Sequence, residues 1–313
     1  MATAFTFPGQ GSQSVGMGKA IAEASATARA VFDEVDEALG EKLSAVMFDG
    51  PEETLTLTAN AQPALMAVSV ALVRVLTERG FDLKKNVAYV AGHSLGEYSA
   101  LAAAGTFSLA DTARLLRIRG NAMQKAVPAG QGAMAAIIGL EHADVDSVCR
   151  QAAQGECCQI ANDNGGGQLV ISGSKGAVER AAALATEKGA KRAIMLPVSA
   201  PFHSALMAPA ADAMREALAA VTKHAPAVPV LSNVTVTPTS DPEEIAARLV
   251  TQVTGQVRWR ETVEWFAANG VTNLVEIGTG KVLTGLARRI SKDVNGSAIN
   301  SIEDVDAFLA ASA

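Results

Sequence analysis

The chain has 313 residues, of which 49% are hydrophobic and 19% charged, and a formal net charge of −6. That length fits two domains or one large α/β domain with an insertion, and the apolar content fits a buried core rather than disorder. The acidic balance and an aromatic content of only 4% speak against a nucleic-acid binder, which would show a basic stripe or stacking aromatics.

In chain order, residues 4–7 read as a short buried strand that runs into the loop Pro8-Gly9-Gln10-Gly11-Ser12-Gln13. No basic segment precedes this strand, and Pro8-Gly9 ends the apolar run, so no signal peptide is visible. Helical patterns follow at 16–39, 41–48 and 61–79, the last closed by Gly80. The longest apolar stretch, 64–73, is bounded by Pro63 and Arg74 and falls short of the ~20 residues that span a bilayer. A soluble, cytoplasmic protein is therefore expected.

A strand over 86–91 leads into Gly92-His93-Ser94-Leu95-Gly96, and residues 97–104 are helix-forming. GxSxG between a strand and a helix is a nucleophile elbow: the glycines permit a strained turn that exposes the serine hydroxyl. The helix N-terminus beyond it offers unpaired N–H groups where an oxyanion would form. Ser94 is accordingly the candidate nucleophile. A long helix begins near Asp111, with Leu115, Leu116, Ile118 and Met123 on its apolar face and Arg114, Arg117 and Arg119 spread around it.

From 129 to 198 the pattern changes. Strands are expected at 132–140, 157–161, 168–172 and 192–198, and helices at 143–153 and 175–188. The glycine-rich segment 162–167 forms the turn between the central strands. This β-α-β-β-α-β order is ferredoxin-like and predicts a small domain at 129–198 inserted into a large domain of residues 1–128 and 199–313. A strand at 229–234, helices at 242–253 and 260–269, a strand at 273–277 and a helix at 281–290 complete the reading. The fold class is α/β, with a mainly parallel sheet in the large domain.

Other motifs are weaker. Gly9-Gln10-Gly11 lacks the third glycine of a dinucleotide loop, since Ser14 stands there, and no GK[ST] follows Gly165-Gly166-Gly167. The three cysteines, Cys149, Cys157 and Cys158, form neither a disulfide framework nor a zinc pattern, and read as reduced and buried. A serine nucleophile needs a base, and there are four histidines. His93 lies inside the elbow, where its side chain should point away from that of Ser94. His142 begins a helix among acidic residues, and His224 sits in a polar stretch. Elimination leaves His203, in Ser199-Ala200-Pro201-Phe202-His203-Ser204. No acid stands out as a third member: Asp111, Asp144 and Asp146 fit helix N-termini, and Asp163 falls in the turn. Either a backbone carbonyl or an unseen tertiary contact fills that place.

Four segments occur in an order that resembles the malonyl-CoA:acyl-carrier-protein transacylases. They are Pro8-Gly9-Gln10-Gly11-Ser12-Gln13, Gly92-His93-Ser94-Leu95-Gly96-Glu97, Arg119-Gly120 followed by Met123-Gln124, and Ala200-Pro201-Phe202-His203-Ser204. Glu276-Ile277-Gly278 with Gly280-Lys281-Val282-Leu283 also matches, so the resemblance spans essentially the whole chain. It implies an α/β-hydrolase-like large domain with a ferredoxin-like insertion, and transfer of a malonyl group from malonyl-CoA to acyl carrier protein through a serine ester.

Carried over residue by residue, the resemblance makes Ser94 the acylated nucleophile and His203 the general base and acid. The N–H groups of Gln10 and Leu95 would form the oxyanion hole, and Arg119 would hold the malonyl carboxylate. Gln252 would orient the histidine through its backbone carbonyl, Asn162 would lie near the acyl pocket, and Phe202 would exclude α-branched acyl groups. The family often has Asn-Pro-Val where this chain has Gly255-Gln256-Val257, which bears on the Gln252 assignment. No cofactor and no metal are expected, and the partners would be malonyl-CoA and acyl carrier protein, with no nucleic acid or membrane and the protein a monomer. The alternative is an α/β-hydrolase esterase or thioesterase using the same serine, with water as acceptor, an acidic third member and no need of a buried arginine. A carrier-protein-binding scaffold with a decayed site fits poorly with Ser94, His203 and Arg119 all present.

Overall fold

The computed structural model describes residues 2–198 and 200–312; Ser199, at the expected return to the large domain, lies outside the described residues. The elements in order are β1 (Ala2–Phe7), α1 (Lys19–Ala24), α2 (Ala26–Leu39), α3 (Leu43–Asp49), α4 (Glu52–Leu55), α5 (Thr58–Glu78), α6 (Leu83–Asn86), β2 (Tyr89–Gly92), α7 (Leu95–Ala103) and α8 (Leu109–Lys125). Then come β3 (Gly132–Ile138), α9 (His142–Ala153), β4 (Cys158–Asp163), β5 (Gln168–Ser174), α10 (Lys175–Glu187) and β6 (Arg192–Met195). After a short 3-10 turn at Ala205–Met207 follow α11 (Ala208–Ala220), β7 (Val230–Leu231), β8 (Pro238–Thr239), α12 (Pro242–Thr254), α13 (Trp259–Ala268), β9 (Val271–Ile277), α14 (Val282–Ile290), β10 (Asn295–Ile299) and α15 (Ile302–Ser312).

Two separate sheets result. The first runs β10-β9-β1-β2-β7-β8 and is parallel except for the antiparallel β8. The second, β4-β5-β3-β6, is antiparallel throughout, and its chain order is the expected strand-helix-strand-strand-helix-strand.

Alternation along β3 explains how the second sheet sits. Ala133, Ala135 and Ile137 pack with Val145, Val148, Ile171 and Val178 in a core of their own. The opposite face sends Met134, with Val170 of β5 and Ala161 of β4, into the main core. The centre of that main core is α5, a helix apolar on nearly all sides and packed on α2 and α8. It is long and apolar enough to span a bilayer, yet it passes through Pro63 and lies inside the protein.

Several expectations need correction. The helix expected over 16–39 is two helices, because Ser25 adopts an extended backbone and its Oγ accepts the Ala28 N–H at 3.2 Å, capping α2. The strand expected over 192–198 stops at Met195, two residues before Pro197. Of the cysteines only Cys149 is buried; Cys157 and Cys158 are half-exposed, and all three are free. The strand expected over 229–234 is only Val230–Leu231, and strands β8 and β10 and helices α4, α6, α11 and α15 were not anticipated.

Candidate active site

The elbow forms because two side chains are missing. A Cβ on Gly92 would lie 1.9 Å from the carbonyl of Gly96, and one on Gly96 would lie 2.2 Å from the Phe7 carbonyl oxygen. Only glycine at both positions lets α7 start so close to β1 and β2. Between them Ser94 takes φ 56°, in the left-handed region that a residue with a Cβ normally avoids. Its N–H donates to Asn233 Oδ1 at 2.8 Å, and Asn233 Nδ2 donates to the Gly92 carbonyl at 2.7 Å, so Asn233 clamps both sides of the turn.

His203 meets this serine from 109 residues further along the chain: Ser94 Oγ lies 2.7 Å from His203 Nε2. The ring's Nδ1 faces two backbone carbonyls, Gln252 at 2.9 Å and Gly255 at 3.1 Å. Carbonyls only accept, so Nδ1 carries the proton and Nε2 is free to accept from the Ser94 hydroxyl. Burial, reinforced by the positive charge of Arg119, pushes the His203 pKa down to about 3. The imidazole is thus neutral near pH 7. Like Ser94, His203 has positive φ, 55°.

Arg119 reaches the same place from α8. Gly120 beside it leaves space for α8 to press on the start of α5, where a Cβ would fall 2.6 Å from Ala59 Cα. The guanidinium is buried at 1% exposure. Nη2 donates to Ser94 Oγ at 3.0 Å and to Gln252 Oε1 at 2.9 Å, and Nη1 to Gln62 Oε1 at 2.8 Å. Its Cζ stands 5.6 Å from the centroid of the buried Tyr98 ring. Arg114 and Arg117 instead make surface contacts, Arg114 with Ala38 and Asp111, and Arg117 with Asn60 and Glu41.

Beneath these groups lies a polar network that sequence reading missed. Gln252 Nε2 donates to the Ser94 carbonyl at 3.0 Å and to Glu97 Oε2 at 2.8 Å, and Glu97 also accepts the Asn233 N–H at 3.2 Å. Burial outweighs these hydrogen bonds and the pull of Arg119, raising the Glu97 pKa to about 7. The signal was present in part: Glu97 is the one charged residue of α7, and Gln62 stands just before the apolar stretch 64–73 of α5. Asn233 and Gly255 carried none.

A cavity of about 470 Å³ opens above Ser94, lined by Gln10, Leu95, Arg119, Asn162, Phe202 and His203 among others. Every residue to which the resemblance assigns a role, Gln252 excepted, borders it, and Gln252 bonds both Arg119 and the Ser94 carbonyl. Among the described residues, no acceptor engages the N–H of Gln10 or of Leu95. His93, expected to point away from Ser94, hydrogen-bonds Asn164 Oδ1 through Nε2 at 2.9 Å. His142 and His224 are exposed. A larger cavity of about 610 Å³ lies elsewhere, near His224, and several of its polar residues are engaged with one another or with neighbours, Arg74 with Glu34 and Thr27 with Glu78. Among the described residues no group of three or more His, Cys, Asp or Glu side chains could hold a metal ion.

Such an arrangement can generate an alkoxide at Ser94 and hold an anion beside it, which is the equipment for acyl transfer with a carboxylate-bearing acyl group. Comparison with known proteins agrees. The acyl transferase domain family matches residues 4–304. The malonyl CoA-acyl carrier protein transacylase of Escherichia coli strain K12 is 50% identical over 297 residues, covering 95% of each chain. The crystal structure of an acyl-carrier-protein-S-malonyltransferase from Bartonella henselae superposes with a TM-score of 0.98 at 64% identity, covering 99% of each chain. A malonyl-transacylase in complex with its type II PKS acyl-carrier protein superposes with a TM-score of 0.96 at 44% identity, covering 99% of this chain and 100% of that one. The chain belongs to the acyl transferase family, in its branch of malonyl-CoA:acyl-carrier-protein transacylases.

Proposed function

We propose that this enzyme transfers the malonyl group of malonyl-CoA to the phosphopantetheine thiol of acyl carrier protein, by a ping-pong route through a malonyl ester of Ser94. The observation that carries this reading is the meeting of Ser94 Oγ with His203 Nε2 at 2.7 Å and Arg119 Nη2 at 3.0 Å. His203 takes the Ser94 proton as Oγ attacks the thioester carbonyl. The tetrahedral oxyanion sits on the N–H groups of Gln10 and Leu95, each worth about 3–4 kcal/mol in such sites. The carbonyl re-forms, the C–S bond breaks, and the proton passes from His203 to the departing coenzyme A thiolate. The carrier thiol then gives its proton to His203 and attacks the ester, and the Ser94 alkoxide recovers that proton as it leaves.

Arg119 grips the malonyl carboxylate by bidentate, charge-assisted hydrogen bonds. The Gln252 carbonyl holds the ring where a triad would use an acid, joined by that of Gly255, which the departure at Gly255-Gln256-Val257 leaves in place. Asn162 and Phe202 shape the acyl pocket. The chemistry so written calls on no metal or redox group. The esterase alternative asks for an acid at Nδ1, where two carbonyls stand instead.

We read the two sheets as an α/β-hydrolase-like large domain, 1–128 and 199–313, and a ferredoxin-like small domain, 129–198. The strand order β4-β5-β3-β6 supports the latter. We also read the protein as a cytoplasmic monomer. Incubation with malonyl-CoA, alone and then with holo acyl carrier protein, followed by intact-mass measurement, tests the function. A malonyl increment on the enzyme that moves to the carrier supports it, and release of free malonate with no carrier product points to the thioesterase.

A further inference from the structure

We propose that Gln159, on β4 of the second sheet, is a positioning residue for His203, tying the histidine loop to the end of α12 through its side-chain amide. The inference rests on the roles given above to Ser94 and His203. Gln159 Nε2 donates to the carbonyl oxygens of His203 and Thr254, each at 3.3 Å, and its Oε1 accepts the Ala205 N–H at 3.0 Å. Both amide protons and the oxygen are therefore in use. The three contacts fall on the two segments that hold the base.

Each segment needs an external hold. His203 keeps a left-handed backbone, φ 55°, that a residue with a Cβ leaves readily unless its surroundings fix it. Thr254 lies between Gln252 and Gly255, whose carbonyls receive the Nδ1 proton, and Gly255-Gln256 has neither a proline nor a helix to stiffen it. The backbone of β4 already runs beside this stretch: the Val257 N–H donates to the Ala161 carbonyl at 2.8 Å, and the Asp163 N–H to the Val257 carbonyl at 2.9 Å. Gln159 extends that bridge with a side chain. One amide thus fixes both the residue that bears the imidazole and the carbonyls that aim it, and the second sheet becomes part of the catalytic apparatus.

Replacement by glutamate separates positioning from packing. Gln159→Glu keeps the size and the acceptor for Ala205, but its carboxylate turns lone pairs toward two carbonyl oxygens. Protonation restores one donor. The test is the rate of Ser94 acylation by malonyl-CoA, measured by rapid quench from pH 5 to 8, in wild type, Gln159→Ala and Gln159→Glu. At pH 8 both variants should acylate about 10- to 100-fold more slowly with an unchanged KM for malonyl-CoA. The Glu variant alone should recover as pH falls.

A Glu variant with wild-type rates at pH 8, or a loss confined to KM, or equal losses in both variants at every pH, would overturn the proposal. If Gln159→Glu does not fold, Gln159→Met, of similar length without either polar group, takes its place: wild-type acylation overturns the proposal, and slowed acylation at unchanged KM upholds it. Wild type that is never malonylated at Ser94 defeats the parent reading instead. Wild type that is malonylated while the variants match it defeats only this one.

Discussion

Arg119 and Ser94 share a hydrogen bond, Nη2 to Oγ at 3.0 Å, although the serine stands in the turn before α7 and the buried arginine comes from α8. An acyl group on Ser94 would grow out of that contact, so a carboxylate at its far end meets a guanidinium already desolvated. Arg119→Ala should cut malonyl transfer by roughly 10- to 100-fold, the worth of a hydrogen-bonded charge, while acetyl transfer is retained or rises. Parallel kinetics with malonyl-CoA and acetyl-CoA check this. Equal losses would make Arg119 a structural residue.

Phe202 adjoins His203 and lines the cavity at 8% exposure. Its ring should crowd an α-methyl group, a discrimination of about 1–3 kcal/mol. Phe202→Ser should therefore raise methylmalonyl relative to malonyl transfer without abolishing either. The ratio of the two kcat/KM values reports it, and an unchanged ratio rejects the idea.

What was legible in sequence follows from how each feature is encoded. The elbow was readable because two glycines are obligatory where Cβ atoms would strike backbone. His203 was reachable by elimination because few histidines exist. The Gln252 carbonyl was reachable only through family resemblance, since any residue type can present a backbone oxygen. Asn233 was not reachable at all: it bonds the Ser94 N–H across 139 residues, and it fell inside the strand expected at 229–234, where nothing local marks its partner. The same limit hid β10, whose Asn295-Gly296-Ser297-Ala298-Ile299 has little strand propensity and is ordered by pairing with β9. Buried networks and edge strands depend on tertiary neighbours, and local patterns do not record these.

The pH dependence divides between two buried groups. His203, with its pKa depressed to about 3, stays an unprotonated base, so Ser94 acylation should remain flat from pH 8 to about 5 instead of falling near 6.5. Rapid-quench rates across that range decide, and a midpoint near 6.5 contradicts the account. Its depressed pKa also makes the unfolded chain the better proton binder, so its contribution to stability is lost as pH falls below about 6.5. Glu97 acts in the opposite sense: raised from 4.5 to about 7, it favours the fold fully below about 4.5 and loses that contribution as pH rises through 7, roughly 3 kcal/mol in all. Urea midpoints for Glu97→Gln should therefore gain more, relative to wild type, at pH 8 than at pH 5.

An acidic carrier protein would be repelled by an enzyme of net charge −6 unless cations cluster where it docks. Exposed cations gather at one end of α14 and just after it: Arg288, Arg289 and Lys292, with Lys281 at its start. Among the described residues none of these four forms an ion pair, although Arg288 and Arg289 bond backbone carbonyls. Arg289 also borders a small cavity shared with Gln10, Gly11 and His93, which brings this helix to the rim of the site. Reversing both arginines to glutamate should raise the KM for carrier protein several-fold at low salt and leave malonyl-CoA-dependent acylation intact, since such steering acts over about 10 Å at 0.1 M salt. Unchanged carrier kinetics would place the docking surface elsewhere.

The central claim is that the acyl group rides on Ser94 with His203 as its base. Brief exposure to malonyl-CoA, acid quench and peptide mass mapping test it in wild type, Ser94→Ala and His203→Ala. The account predicts a malonyl adduct on the Ser94 peptide of wild type, none in Ser94→Ala, and strongly slowed formation in His203→Ala. A malonyl adduct that persists in Ser94→Ala would contradict it.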